Sequence, residues 1–147
     1  SVALSADIRI ASEDARLGIP AARLGIAYGL NSLEQLANLV GPSFAKEILF
    51  TARRFSAEEA LRIGLVNRVV PVDELEGAVR ELADTIASNA PLSVKATKMT
   101  VAEVLKEPSA RDLDAVEKIV KTCFDSQDYA EGRKAFIEKR KPKFIGR

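Results

Sequence analysis

Few side chains in this sequence could carry out acid–base or nucleophilic chemistry. Two adjacent carboxylates, Glu13 and Asp14, stand between apolar stretches, Cys123 is the single cysteine, and the 147 residues include no histidine. Adjacent carboxylates in a turn between two strands are usually solvated, and a thiol on an apolar helix face is more often buried and inert than nucleophilic. These residues therefore predict neither a histidine-based catalytic centre nor a metal site.

The composition is that of an ordinary globular chain. Hydrophobic residues make up 47% of the sequence and charged residues 29%, which argues against disorder. The net charge of +1 gives no reason to expect a nucleic acid or a membrane surface as partner. One cysteine cannot build a disulfide framework, which favours a reducing compartment, the cytoplasm or, in a eukaryote, the mitochondrial matrix.

The first half of the chain predicts strands separated by turns and short helices. Polar and apolar residues alternate over 7–11 and 15–19, which predicts two strands joined by a turn at 12–14. A third strand is predicted over 65–70, where Pro71 ends it because proline cannot donate to a ladder. Between these strands the pattern predicts a loop from Gly25 to Gly29, helices on both sides of Gly41-Pro42, and a capping box from Ser56 to Glu59.

Helical periodicity dominates the rest of the chain. Asp73 is predicted to cap a long helix, and further helices are predicted to begin near Pro91, near Pro108 and at Asp128. The last residues form a basic tail. The order of elements predicts an α/β fold with a boundary near residue 73.

Several segments of the chain follow one another at characteristic spacings: Ala6–Pro20, Leu24–Ile26, Leu39–Pro42, Ile48–Thr51, Phe55–Ala60, Gly64–Pro71 and Gly132–Pro142. In this order and at these spacings, they resemble the crotonase superfamily, the enoyl-CoA hydratase/isomerase family. The resemblance implies that residues 1–73 are the C-terminal part of a ββα spiral and that residues 74–147 are a helical region that packs on neighbouring subunits in a trimer or a dimer of trimers. It also implies that the chain begins about halfway through the family's length, so we expect part of the protein upstream of residue 1.

The resemblance implies an acyl-CoA thioester as substrate, with coenzyme A as part of it and no separate cofactor. In the family, two backbone N–H groups stabilise the enolate-like charge on the thioester, and both are expected upstream of Ser1. The hydratases use two glutamates, whose positions fall at Ser1 and Ala21 in this sequence. Both hydratase glutamate positions are therefore replaced by residues that are not competent bases, and we expect low activity, a different reaction, or a base supplied elsewhere.

The turn after Pro20 is expected to line the substrate pocket through Pro20, Ala21, Tyr28 and Gly29. Tyr28 is the candidate catalytic group, since a phenol can donate to a carbonyl or a carboxylate; alternatively it packs under the acyl chain with its hydroxyl bonded locally. Gly29 either points its backbone N–H at the substrate or occupies a turn with positive φ. In the same loop, Asn31 most simply caps the helix that starts near Ser32, while Arg23 either meets an acidic acyl group or pairs with a surface carboxylate.

At the other end of the chain, Phe136 and Lys139 match family positions that touch coenzyme A. Phe136 could lie against the adenine, and Lys139 could neutralise a phosphate. Their spacing of three predicts one shared helix face. The alternative is a basic tail that only aids solubility.

Three functions remain open from the sequence. The first is an acyl-CoA-binding protein like the enoyl-CoA hydratases and isomerases, in fatty-acid or related acyl-CoA metabolism. The others are a non-catalytic acyl-CoA binder and an oligomerisation module. A family member with another reaction, such as an isomerase, decarboxylase or thioester hydrolase, is a variant of the first.

Overall fold

A computed structural model describes residues 2–147 and, for side chains, residues 3–147. The chain forms two compact units, one up to residue 80 and one from Glu81 to Arg147. The boundary predicted near residue 73 stays a prediction. Within residues 2–147, no helix is long and apolar enough to cross a lipid bilayer.

Four short strands form two small sheets in the first unit. Strand β1 (Ile10–Ser12) runs parallel to β4 (Arg68–Val70), and β2 (Arg16–Leu17) runs antiparallel to β3 (Phe55–Ser56). The three predicted strands are therefore present but shorter than predicted. Strand β3 was not predicted, because it has two residues and gains its hydrogen bonds only from β2.

The helices of the first unit begin and end where local backbone preferences favour it. Helix α1 (Ala21–Leu24) is a single turn within the predicted pocket segment, and α2 (Leu30–Thr51) changes direction at Gly41, whose φ is 74°. The predicted break at Gly41-Pro42 is confirmed. Helix α3 (Ala57–Arg62) begins with the predicted capping box, in which the Ser56 hydroxyl accepts from the Glu59 N–H.

Side chains of α2 and β3 form the centre of the core in the first unit. Leu36, Ile48 and Phe55 are the largest fully buried side chains. Burying a side chain of this size stabilises a fold by roughly 1.5–3 kcal/mol. The smaller residues around them, Ala45, Ala57 and Ala60 among them, let the segments approach closely.

The second unit is helical. A 3₁₀ turn (Val72–Glu74) precedes α4 (Leu75–Ala87), within which the division between the units falls. Then come α5 (Pro91–Val104), α6 (Leu113–Phe124) and α7 (Gln127–Ile137), and α6 packs against both α5 and α7. The few strands and the many helices confirm the predicted α/β class.

Three predicted helix starts are wrong. Asp73 lies inside the 3₁₀ turn rather than capping α4, and Pro108 begins a separate 3₁₀ turn, so that Asp112 caps α6. Ser126, not Asp128, caps α7 by accepting from the Tyr129 N–H at 3.0 Å. In each case an acid or a proline near a helix was assigned to the wrong turn, which local patterns separate poorly.

Candidate functional site

The first candidate region is the tight turn around α1. The carbonyl of Pro20 accepts from the N–H groups of Arg23 and Leu24, at 3.0 and 3.2 Å, and the carbonyl of Ala21 accepts from the Ile26 N–H at 3.0 Å. Gly25 ends the turn with φ 64°, a left-handed conformation that glycine adopts at little cost. These bonds fix the backbone from residue 20 to residue 26.

Ala21 is the buried residue of this turn, with 5% of its surface exposed. By the family resemblance, this buried methyl group lies where the hydratases carry a glutamate. Ser1, the position of the other glutamate, lies outside the described residues. No proton acceptor is available from the side chain at position 21.

Tyr28 lies on the surface of the same segment. Its side chain is exposed, and within residues 2–147 its hydroxyl makes no hydrogen bond. The alternative, in which Tyr28 packs under an acyl chain with its hydroxyl bonded locally, stays a prediction for the complete protein. Its catalytic role stays a prediction.

Two predictions about the start of α2 are wrong. Gly29 is the N-cap of α2 with φ −74° and ψ 169°, which is extended backbone that any residue adopts, so no positive φ is needed there. Asn31 lies within the first turn of α2 and does not cap it. The N–H groups of Ser32 and Leu33 instead donate to the Gly29 carbonyl. Whether the Gly29 N–H meets a substrate stays a prediction.

An exposed apolar edge borders Ala21. It consists of Leu24, Ile26, Tyr28 and Leu30, of which Leu30 is 83% exposed. Alternating large apolar side chains at a surface are expected to be covered by a ligand or by another part of a protein. We use the name apolar edge for these four residues.

The remaining polar candidates of the first unit are solvent-exposed. The carboxylate of Asp14 accepts from the Ser12 hydroxyl at 2.6 Å, as a turn residue does, and Glu13 lies beside it. The exposed position confirms that both carboxylates are solvated, as predicted for a turn between two strands. Arg23 is exposed too, and no ion pair involves it within residues 2–147. No group of three potential ligands in the described part of the chain could hold a metal ion.

The second candidate region is an aromatic hollow in the second unit, with a volume of about 450 Å³. The rings of Phe124 and Tyr129 meet edge to face at a centroid distance of 5.2 Å. Phe136 is 86% exposed at the border of the hollow, and Cys123 lies half-buried in its wall. The hollow thus presents aromatic surface on which a flat ring could stack. Phe144 and Arg133 also line the hollow.

Lys139 is not on the helix face of Phe136, contrary to the prediction. Helix α7 ends at Ile137, and Lys139 has a left-handed backbone with φ 52°. Its N–H donates to the Phe136 carbonyl at 3.3 Å, while the Arg140 N–H donates to the Ala135 carbonyl at 3.0 Å. This pair of bonds is a Schellman motif, which commonly has glycine where this chain has Lys139.

An ion-pair network centred on Arg140 lies immediately after Lys139 in the chain. Arg140 makes a bidentate pair with Glu131, at 2.6 and 2.9 Å, and also contacts Glu138 at 2.6 Å. Glu131 accepts in addition from the Lys143 N–H at 2.8 Å. The Arg140 guanidinium and this N–H together lower the pKa of Glu131 to about 2. The same carboxylates raise the pKa of Arg140.

Asp128 binds the C-terminal tail instead of capping a helix. It is only 2% exposed, and its two oxygens accept from the N–H groups of Ile145 and Gly146, at 2.7 and 2.9 Å. Its own N–H donates to the Arg147 carbonyl at 3.2 Å. Local sequence patterns do not reveal this role, because the partners lie 17 and 18 residues further along the chain.

Many known proteins have sequences similar to that of this chain. A family model described as enoyl-CoA hydratase/isomerase matches residues 1–147. The short-chain-enoyl-CoA hydratase of Clostridium acetobutylicum is 43% identical over 140 residues, which cover 95% of this chain and 54% of that protein. The methylmalonyl-CoA decarboxylase of Escherichia coli K12 is 36% identical over 146 residues, which cover 97% of this chain and 56% of that protein.

Solved structures agree with these sequence matches. The crystal structure of an enoyl-CoA hydratase from Bacillus anthracis superposes with a TM-score of 0.85 at 38% identity, covering 98% of this chain and 56% of that one. This likeness confirms the fold that the sequence resemblance implied. The chain spans about half the length of the relatives it matches.

Proposed function

The chain belongs to the enoyl-CoA hydratase/isomerase family, the crotonase superfamily, and on that premise we propose that the complete protein binds an acyl-CoA thioester and carries out thioester enolate chemistry in fatty-acid or related acyl-CoA metabolism. The observation that carries the proposal is the match of the family model over residues 1–147. The exposed apolar edge supports it, because an acyl chain is one ligand that would cover such side chains.

The proposed chemistry differs from hydration by two glutamates. Hydration needs one carboxylate to activate water and another to handle the proton at the α-carbon. The buried methyl group of Ala21 offers neither. Tyr28 is the proposed proton donor, because its exposed hydroxyl has no partner among residues 2–147.

Decarboxylation is the second candidate reaction. Loss of CO₂ from a thioester that carries a carboxylate on its α-carbon leaves the bonding electron pair on the thioester as an enolate, so no basic side chain is needed to form it. The α-carbon then takes a proton, which Tyr28 could donate. The absence of an acid at position 21 and the similarity to a methylmalonyl-CoA decarboxylase favour this candidate. In this reaction the exposed Arg23 is the proposed partner of the substrate carboxylate.

The coenzyme A part of the substrate is proposed to bind at the second unit. Phe136 would stack on the adenine, and Lys139 would neutralise a phosphate. We further propose a homo-oligomer, a trimer or a dimer of trimers, in the cytoplasm or the mitochondrial matrix of a eukaryote. Exposed apolar side chains on α4 and α6, such as Val79, Ile86 and Leu113, support an oligomer, since they leave surface for other subunits to cover.

The test uses the complete protein with crotonyl-CoA. Hydration is followed by the loss of ultraviolet absorbance, and binding is measured by calorimetry with the same ester. We expect micromolar binding and hydration close to the buffer rate. Absence of binding would contradict the proposed function.

Two variants separate a lost base from a lost scaffold. Ala21→Glu places a carboxylate at the buried position, whereas the control Ala22→Glu places it on an exposed position one residue later. We expect hydration to increase only with Ala21→Glu. If neither variant gains activity although both still bind the ester, a non-catalytic acyl-CoA binder becomes the better description. Release of CO₂ from methylmalonyl-CoA, abolished by Tyr28→Phe, would instead support decarboxylation.

A further inference from the structure

The backbone at Lys139, just after the end of α7, is strained. In residues 2–147, Ala52 and Lys139 are the non-glycine residues with positive φ. A side chain in the left-handed region clashes with its own backbone, which is why glycine is usual after a helix C-terminus. Backbone strain at a predicted ligand contact persists only where the surrounding contacts hold the residue in place.

The residues around Lys139 hold the strained conformation in place. Arg140 is fixed by its bidentate contact to Glu131 and by Glu138, and Glu131 also binds the backbone of Lys143. The chain is therefore fastened on the C-terminal side of Lys139, while the Schellman bonds fasten it on the N-terminal side. We call the contacts of Arg140, Glu131 and Lys143 the tail clasp.

The tail clasp also distinguishes two neighbouring cations, Arg140 and Lys139, by their ion pairs. The charge of Arg140 is balanced by two carboxylates, Glu131 and Glu138. The exposed ammonium group of Lys139 makes no ion pair within the described part of the chain. Lys139 therefore offers a cation to an external anion, three residues beyond the exposed ring of Phe136.

We propose that Glu131 and Arg140 are positioning residues that hold Lys139 in its left-handed conformation, so that its ammonium group meets a phosphate of coenzyme A. This inference rests on the proposed binding of acyl-CoA thioesters. Glycine at position 139 would remove the strain but would supply no cation. Stability and ligand binding thus make opposite demands on this residue.

Because stability and ligand binding make opposite demands on position 139, substitutions there form the first part of the test. In the complete protein, Lys139→Gly is expected to raise the thermal midpoint by roughly 2–4 °C and to weaken the binding of free coenzyme A. Lys139→Gln keeps the strained backbone and removes the charge, so its midpoint is expected to stay near that of the parent protein. Both are expected to weaken calorimetric affinity by roughly threefold to tenfold, the effect of losing one charged contact.

A double-mutant cycle tests positioning directly. Glu131→Gln keeps the Lys139 charge but loosens the tail clasp, and it is expected to weaken coenzyme A binding by roughly threefold or more. In the Lys139→Gln background the same change is expected to have no further effect on affinity. A general loss of structure would weaken binding equally in both backgrounds. Arg140→Lys, which cannot form the bidentate contact, serves as a second variant if Glu131→Gln folds poorly.

Glu103→Gln is the matched control. Glu103 accepts from a cation, Lys106, at 2.6 Å and from a backbone N–H, that of Asp112, at 2.9 Å, so it has the same kinds of partner as Glu131. We expect it to leave coenzyme A affinity unchanged. Parent protein that fails to bind coenzyme A would overturn the proposed function and this inference together. Binding by the parent protein, with additive effects of Glu131→Gln and Lys139→Gln, would overturn the positioning role alone.

Discussion

Gly18 packs against the backbone of Arg53 in the first unit, so its replacement tests how closely these two segments pack. A Cβ atom at position 18 would lie 2.7 Å from the Arg53 carbonyl oxygen and 3.5 Å from the carbonyl carbon of the same residue. Both contacts are with backbone, which cannot rotate away as a side chain can. Gly18→Ala must therefore push the segment after β2 away from the segment that leads into β3.

The size of the effect follows from this displacement. Overpacking of one methyl group typically costs about 1–3 kcal/mol. For a domain of this size, each kcal/mol lowers the thermal midpoint by roughly 2–4 °C. We expect a fall of roughly 2–12 °C for Gly18→Ala in the complete protein. Since the turn at Pro20 begins two residues later, we also expect weaker acyl-CoA binding.

The same glycine-to-alanine substitution at position 77 provides the control. Gly77 lies within α4 with nothing within 4 Å of an added Cβ, and alanine favours a helix over glycine by about 0.5–1 kcal/mol. Gly77→Ala is expected to raise the midpoint slightly. Both midpoints should be measured by circular dichroism at one fixed protein concentration, because assembly also shifts them. Equal midpoints for the two variants would refute the reasoning from backbone contact.

Two further predictions concern the tail. Asp128→Asn leaves one tail N–H without an acceptor, at a cost of about 1–3 kcal/mol, so we expect faster hydrogen exchange at Ile145 and Gly146; unchanged exchange would show that Asp128 does not hold the tail. The pKa of Glu131 lies near 2 when folded, below its ordinary value of 4.5, so the unfolded chain binds the extra proton first and the stability from Glu131 falls as the pH drops from about 4.5 to 2. Acid titration of the thermal midpoint should be less steep in this window for Glu131→Gln, and identical slopes would contradict the ion-pair geometry.

The sequence predicted those features of the fold that depend on neighbouring residues. The break at Gly41 and the capping box at Ser56 both depend on contacts within four residues, and both are confirmed. Strand β3 and the role of Asp128 depend on partners far along the chain, and both were missed. Local patterns contain no information about such partners.

The candidate site likewise has features that could be predicted from the sequence and features that could not. The identity of position 21 as a replaced glutamate came from the family resemblance, and the structure adds that the alanine is buried. The left-handed backbone of Lys139 could not be predicted, because residue type argues for glycine in that conformation. Neither the roles of Tyr28 and Gly29 nor those of Phe136 and Lys139 follow from geometry alone, and these stay predictions.

The parallel pairing of β1 with β4 has a consequence for how the protein is made. Arg9 and Asn67 bond across a separation of 58 residues, and a ribosome adding about 5–20 residues per second needs roughly 3–12 s to synthesise that stretch. During this interval the nascent β1 lacks β4, the strand it pairs with in the described part of the chain. Synthesis speed between residues 10 and 70 is therefore expected to influence the yield of correctly folded protein.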